Sequence, residues 1–420
     1  MKVERCQGFN DLSPEEMARF RLIEGVFRDR CLKCGYQEVR TPTIEYLYLF
    51  TSVGTLTPGM LRRVYSFLDW DGWSGERVVL KPDGTIPIAR LYIDSLSEKG
   101  LARLFYVTNV FMFDETGKKS RERWQCGAEL IGANSPMADA ELIALVLDVL
   151  QRLGLKNMEL RLSHAGLLRA LLAKLELSHS EQDRIFDQIL DGDIEALARI
   201  QPDKPELVAA LTLLLDMRGK SSGFLKNGKA LFSQKLPEFK PYIDNFIDIC
   251  HLIEALGCDY KIDLASGKGF EYYTGVIFHL FIGEENVGGG GRYDDLIPIM
   301  GGKDTPAAGF ALYLDRLMKL IKPEVLSEPI TKRVLVRVAP GVMTQAFGIA
   351  NLLREVGYIV EFALKGEEAA DYDWLLEVKG KKPLFVLTDQ VSGKESTVES
   401  ATGVLALLGC EGDVTEDSFA

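Results

Sequence analysis

The chain has 420 residues and carries 61 acidic against 49 basic side chains, a net charge of −12. That length fits two or three domains, and 47% hydrophobic with 26% charged residues is an ordinary globular balance, which excludes disordered and collagen-like classes. No apolar run approaches the ~20 residues of a membrane span, and the acidity disfavours generic nucleic-acid binding, which needs a basic face.

The opening stretch, MKVERCQGFNDLSPEE, is charged and unlike a signal peptide, so a cytoplasmic location is expected. Ser13-Pro14-Glu15-Glu16 combines an S-x-x-E capping box with proline at the first helical position. Met17, Phe20, Ile23, Val26 and Phe27 follow at helical spacing, and Gly35 ends the helix. Cys31 and Cys34 have CxxC spacing at its end. The seven cysteines are otherwise scattered, and the pair lacks the second half of a zinc site, so structural thiols and no metal are expected.

An extended stretch at 38–42, a strand at 77–81 and a helical segment from 85 to about 93 come next. Residues 104–113 and 124–131 are two β-rich runs joined by a charged loop, the pattern of an antiparallel hairpin. Ser135-Pro136 starts a strong helix ending at Gly154. From about 165 to 256 leucine, alanine and charges recur at helical spacing, as in a helical insertion. Strand character returns at 260–264 and 274–281, followed by the glycine run 288–291 and a helix expected over about 311–321. Residues 322–331 read as a linker. Beyond it, strands at 333–339, 359–363 and 383–388 with a helix at 345–356 suggest a small α/β domain. Residues 331–420 hold nine Lys/Arg against fourteen Asp/Glu, and the acidic end from 409 reads as a frayed tail.

Three segments carry residues that a core does not need. In Lys81-Pro82-Asp83-Gly84-Thr85 the aspartate either caps the following helix or binds a ligand ammonium. Period-2 alternation places Gln125, Gly127 and Glu129 on one strand face, and a buried carboxylate there needs partners. Lys268 to Gly275 packs a cation, Tyr272 and Tyr273 before a strand. The glycine run fails both nucleotide motifs: it ends in Arg292-Tyr293-Asp294 rather than Gly-Lys-Ser/Thr, and it opens no βαβ helix. Close backbone approach to a ligand or to another strand is the remaining reason for it.

At these residues the chain resembles histidyl-tRNA synthetase, a class II aminoacyl-tRNA synthetase. The matching segments run in family order: Gly8-Phe-Asn-Asp11; Lys81 to Thr85; the second class II motif across 106–132; Gly269 to Gly275; Gly289 to Asp294; and the third motif, Gly309 to Arg316. The resemblance implies an α+β fold, an antiparallel sheet flanked by helices. It divides the chain into a synthetase-like domain at 1–325, with the insertion inside it, and a reduced anticodon-binding-like α/β domain at 326–420. It also implies a histidine site formed by Asp83, Thr85, Gln125, Glu129, Lys268, Tyr272 and Tyr273.

The departures point away from catalysis. Where family synthetases carry an arginine that grips the α-phosphate of ATP, this chain has Met112, which has no charge and no N–H donor. Their second catalytic arginine is Lys268, which keeps the charge and loses the bidentate fork. Arg316 survives, but the glycine three residues before it is Tyr313, whose ring would crowd the nucleotide. In Glu45-Tyr46-Leu47 after the first strand, in its altered third motif and in its reduced, acidic C-terminal domain, the chain is similar to a silent branch of the family, the regulatory subunits of ATP phosphoribosyltransferase. That similarity implies no catalytic residues and no cofactor. The expected partners are a short-form ATP phosphoribosyltransferase catalytic subunit in a hetero-oligomer, a second copy in a class II-type dimer, and histidine as effector. Neither tRNA nor a membrane is expected. A divergent histidine-tRNA ligase and a free-standing amino-acid-binding protein are the alternative readings.

Overall fold

The computed structural model describes residues 4–53, 61–69, 75–113, 120–173, 218–232, 239–264, 272–322, 332–364 and 371–409, with isolated positions between 177 and 188. Its first helix, Pro14–Lys33, starts as the sequence specifies. The Glu16 N–H donates to Ser13 Oγ at 3.3 Å, and the Ser13 N–H donates to the Glu16 carboxylate at 2.8 Å. Phe20, Ile23, Phe27 and Cys31 form its buried stripe. Phe27 meets Phe105 and Phe310 edge-on at 5.9 and 6.3 Å, which seats the helix on the main sheet. Cys31 is buried and Cys34 exposed, and burial raises both thiols above their ordinary range, so neither is a ready nucleophile.

The chain falls into two units, Met1–Leu326 and Ser327–Ala420. In the first, the strands in chain order are β1 (Gln37–Glu38), β2 (Ile44–Tyr46), β3 (Ser66–Leu68), β4 (Arg77–Leu80), β5 (Ala102–Phe111) and β6 (Glu122–Ile131). After them come β7 (Met158–His164), β8 (Arg218–Gly219), β9 (Tyr260–Asp263), β10 (Val276–Ile282), β11 (Glu285–Arg292) and β12 (Ala307–Tyr313). Among the described residues nine of these form one sheet, in the order β1-β5-β6-β12-β11-β10-β7-β9-β8. Its pairs are antiparallel except β1 with β5 and β7 with β9. A small antiparallel sheet, β2-β4-β3, carries the chain into the helix Thr85–Leu91. Within 165–256 the described helices are Ala165–Ala173, Ser222–Phe232 and Lys240–Ala255; residues 189–217 lie outside the described residues. No described helix is long and apolar enough to cross a membrane.

The glycine run is the centre of β11, paired on both sides. A Cβ at Gly289 would stand 2.6 Å from the Phe278 carbonyl oxygen, and one at Gly290 2.1 Å from that of Gly309. Close approach of strands therefore accounts for the run. The helix expected over 311–321 begins later, at Leu314, because 307–313 form β12. Ladder partners on both edges, β6 and β11, outweigh the local helix propensity of that segment.

At the end of β11 the buried Arg292 side chain donates to Asp139, in the helix Pro136–Arg152, at 3.0 Å. It also donates to the Ala133 carbonyl and to Asp294, both at 3.0 Å. Burial raises the Asp139 carboxyl to about 6, against the pull of Arg292.

The second unit has strands β13 (Arg333–Val338), β14 (Ile359–Phe362), β15 (Trp374–Val378), β16 (Phe385–Asp389) and β17 (Glu395–Val398), ordered β14-β13-β15-β16-β17. The helices Met343–Glu355 and Ala401–Leu407 pack on it around Val334, Val336, Ile349, Leu353 and Leu376. Its sheet has three parallel strands, β14, β13 and β15, with β16 and β17 added antiparallel.

Because Asp139 and Arg292 are 2% and 4% exposed, removing one partner strands the other charge in the core. Asp139→Asn is expected to destabilise the first unit by about 3–5 kcal/mol, read as an earlier urea midpoint by circular dichroism.

Candidate functional site

Strand β6 sets the site. Its register places Glu129 between Leu104 of β5 and Gly309 of β12, Gly127 between Tyr106 and Ala311, and Gln125 between Thr108 and Tyr313. Glu129 is wholly buried, and its side chain lies across Gly309, where a Cβ would sit 1.6 Å from Oε2. The Tyr106 ring crosses Gly127, where a Cβ would fall 2.3 Å from Cζ. That path brings the Tyr106 hydroxyl to Glu129 Oε1, to which it donates at 3.1 Å. Thr85 Oγ1 donates to the same oxygen at 2.9 Å, and the Tyr293 hydroxyl donates to Oε2. Burial pushes the Glu129 carboxyl up to about 8, with the charge of Asp83 adding to it against the three hydroxyl bonds.

Asp83 fulfils the capping alternative, since Oδ1 accepts the Ile86 N–H at 2.9 Å. It also belongs to the cluster, because its charge acts on Glu129, Tyr106 and Tyr272. Burial raises its carboxyl, opposed by the N–H groups of Ile86, Thr85 and Gly84. Gln125 is buried with its amide against Gly84, at which a Cβ would meet Nε2 at 2.4 Å. The Tyr272 ring lies 5.4 Å from Tyr273 and 5.5 Å from Tyr293.

Six of the seven residues singled out in the sequence thus meet in one cluster, and Lys268 lies outside the described residues. Sequence reasoning missed the hydroxyls of Tyr106 and Tyr293 and the space left by Gly84 and Gly309. Tyr293 was visible only as part of the Gly-Gly-Arg-Tyr-Asp segment. Tyr106 was signalled by its place opposite Gly127, once the hairpin register is known.

The neighbouring region is arranged differently. Met112 follows the last residue of β5, and its N–H donates to the Arg121 carbonyl at 3.0 Å. The Arg316 guanidinium stacks over the Tyr313 ring at 4.7 Å, pairs with Glu285 at 3.3 Å and donates to the Asn286 carbonyl. This arginine is satisfied by its own chain. Among the described residues no group of three His, Cys, Asp or Glu side chains is placed to hold a metal ion.

Comparison with known proteins agrees with this architecture. The family model for histidyl-tRNA synthetase matches residues 8–317. An ATP phosphoribosyltransferase regulatory subunit from Dehalococcoides mccartyi is 54% identical over 411 residues, 98% of this chain and 100% of that protein. A histidine–tRNA ligase from Methanocaldococcus jannaschii is 30% identical over 424 residues, 97% of this chain and 98% of the ligase. The crystal structure of an ATP phosphoribosyltransferase regulatory subunit/histidyl-tRNA synthetase from Bacillus halodurans matches with a TM-score of 0.78 and 25% identity, covering 91% of this chain and 99% of that one. With its large, mostly antiparallel sheet of class II type, the chain belongs to the histidyl-tRNA synthetase family, within its group of ATP phosphoribosyltransferase regulatory subunits.

Proposed function

We propose that this chain is the non-catalytic regulatory subunit of ATP phosphoribosyltransferase, in the first step of histidine biosynthesis, and that it senses histidine at the Glu129 cluster. The observation that carries this reading is a contrast within one sheet. The amino-acid cluster is assembled, while the nucleotide side has Met112 in place of an arginine and an Arg316 engaged by Tyr313 and Glu285. Adenylation needs cations free to meet developing phosphate charge. A histidine-tRNA ligase would need Arg316 turned out of its present contacts.

The cluster suits histidine chemically. It presents two carboxyl groups, Asp83 and Glu129, and the three groups that donate to Glu129, from Thr85, Tyr106 and Tyr293, are all hydroxyls. A ligand bringing an ammonium and an imidazole supplies the missing N–H groups. Tyr272 and Tyr273 would flank the ring, Thr85 and Gln125 would assist the ammonium, and Lys268 would complete the set. The chain would act in the cytoplasm as a class II-type dimer joined to short-form catalytic subunits. Histidine would act by shifting the subunits' relative orientation, a coupling typically worth about 1–3 kcal/mol.

Three outcomes are expected. A short-form catalytic subunit mixed with this chain gains phosphoribosyltransferase activity and loses it across a histidine titration, while this chain alone supports no histidine-dependent ATP–pyrophosphate exchange. Detection of that exchange would restore the ligase reading. Glu129→Ala weakens histidine binding by about 1.5–3 kcal/mol, on the order of tenfold to 150-fold by calorimetry. Gly309→Ala, whose methyl group would occupy the place of the Glu129 carboxyl, abolishes binding while circular dichroism stays native. Unchanged affinity in both variants would remove the cluster from histidine recognition.

A further inference from the structure

Strand periodicity gives β6 two separate faces. Gln125, Gly127 and Glu129 turn to the cluster described above, and Glu122 and Trp124 turn to the opposite side. There Phe20 of the first helix meets the Trp124 ring edge-on at 5.1 Å. The helix Leu314–Leu320, which follows β12, reaches the same side, where Asp315 accepts the Trp124 backbone N–H at 3.0 Å. Between these elements and residues 5–12 lies a cavity of about 430 Å³, within the ~300–1,000 Å³ typical of small-molecule sites. The segment Gly8 to Asp11, which the Glu129 cluster does not use, is fastened beside it. The Gly8 carbonyl accepts the Arg121 N–H at 2.7 Å and the Ser120 hydroxyl at 3.3 Å, and a Cβ at Gly8 would stand 2.6 Å from Arg121 Cγ.

The cavity is lined by both signs of charge and by an apolar side made of Trp124, Leu12 and the buried Met318. Some of its charges are already engaged. Arg5 pairs with Asp11 at 3.5 Å, and Glu16 belongs to the capping box of the first helix. Two carboxylates are held by one oxygen and open on the other. Glu122 Oε1 accepts the Asn109 amide at 2.8 Å, leaving Oε2, and Asp315 Oδ2 accepts the Trp124 N–H, leaving Oδ1. Arg19 and Lys319 bring two positive charges, and neither makes an ion pair among the described residues; Arg19 Nε is buried with no hydrogen-bond partner. Two carboxylates and two cations thus share one cavity without closing on one another.

We propose that this cavity binds a free α-amino acid with an aromatic or apolar side chain, at a site separate from the Glu129 cluster. Its ammonium would take the open oxygens of Glu122 and Asp315, and its carboxylate would meet Arg19 and Lys319. Its side chain would lie against Trp124 and Met318. The balance of charge selects this class of ligand. A polyanion would be set against the two open carboxylates, and a polyamine against the two cations, each contact a like-charge penalty in a half-buried place. A zwitterion answers both signs at once, and its apolar body answers the indole.

The test is titration calorimetry on the full chain, both wild-type and carrying Glu129→Ala, with phenylalanine, tryptophan and leucine as probes. N-acetylphenylalanine and phenylalaninamide, each lacking one of the two charges, are the controls. At least one of the three amino acids is expected to bind at millimolar concentration, equally well in both proteins. Each control is expected to bind about tenfold more weakly than phenylalanine, since each loses one set of charge-assisted hydrogen bonds. Lys319→Gln and Glu122→Gln, the second of which can still accept from Asn109, should each weaken binding about tenfold while circular dichroism stays native. Binding by none of the three amino acids would overturn the site, as would affinity unmoved by both substitutions or by removal of either charge from the ligand. Binding to the wild-type chain that is lost in Glu129→Ala would place the amino acid in the Glu129 cluster and overturn a second site. A histidine titration of the wild-type chain reads that cluster separately, so either site can fail without the other.

Discussion

The carboxyl group of Glu129 occupies the volume that any side chain at position 309 would need. This one steric exchange, a glutamate on β6 for an absent Cβ on β12, fixes the rest of the site. It lets β12 lie flat against β6 while a large acid is buried between sheet and helix, and it aims the acid at the hydroxyls of Thr85, Tyr106 and Tyr293. Gly127 and Gly84 play the same part for Tyr106 and Gln125. The site is thus made by subtraction: small residues on three elements leave the room that polar side chains fill. Its floor belongs to the central strands, which rank among the least deformable parts of such a fold.

The site is fastened to its surroundings through three consecutive residues. Arg292 and Asp294 join a network that reaches Asp139 on the helix Pro136–Arg152, Thr274 before β10 and Ala307 at the start of β12. Tyr293, between them, turns to Glu129. That helix in turn pairs Glu141 with Arg103 of β5 and Asp148 with Arg30 of the first helix. A change in the bonding of Tyr293 is therefore felt at a buried ion pair one residue away, and beyond it at a helix held at three points.

Much of this was legible in the chain, for local reasons. The capping box at Ser13 and Glu16 is a matter of four residues, and the shared face of Gln125, Gly127 and Glu129 follows from strand periodicity alone. The fold and the group of residues came from resemblance rather than from pattern. What stayed hidden depends on pairing across the sheet. Tyr106 becomes a site residue only when β5 is set against β6 in register, and Tyr293 only when β11 returns beside β12. The helix expected from 311 fails for the same reason, since Ala311, Leu312 and Tyr313 have good local grounds to be helical and better partners as strand. Sequence windows see propensity; they do not see neighbours that are almost 200 residues away.

The glycines of β11 also bear on how this lineage is to be read. Each of Gly288 to Gly291 has a backbone or ring atom where its Cβ would be, so sterics alone forbid substitution there, whatever the chain does with nucleotides. A descendant relieved of aminoacylation would drift at positions that touch phosphate and stay frozen at these. The most conspicuous signature of the ancestor is then the one least informative about present chemistry. Present chemistry is better read at positions such as 112 and 313, where the identity of the side chain decides which groups a nucleotide would meet.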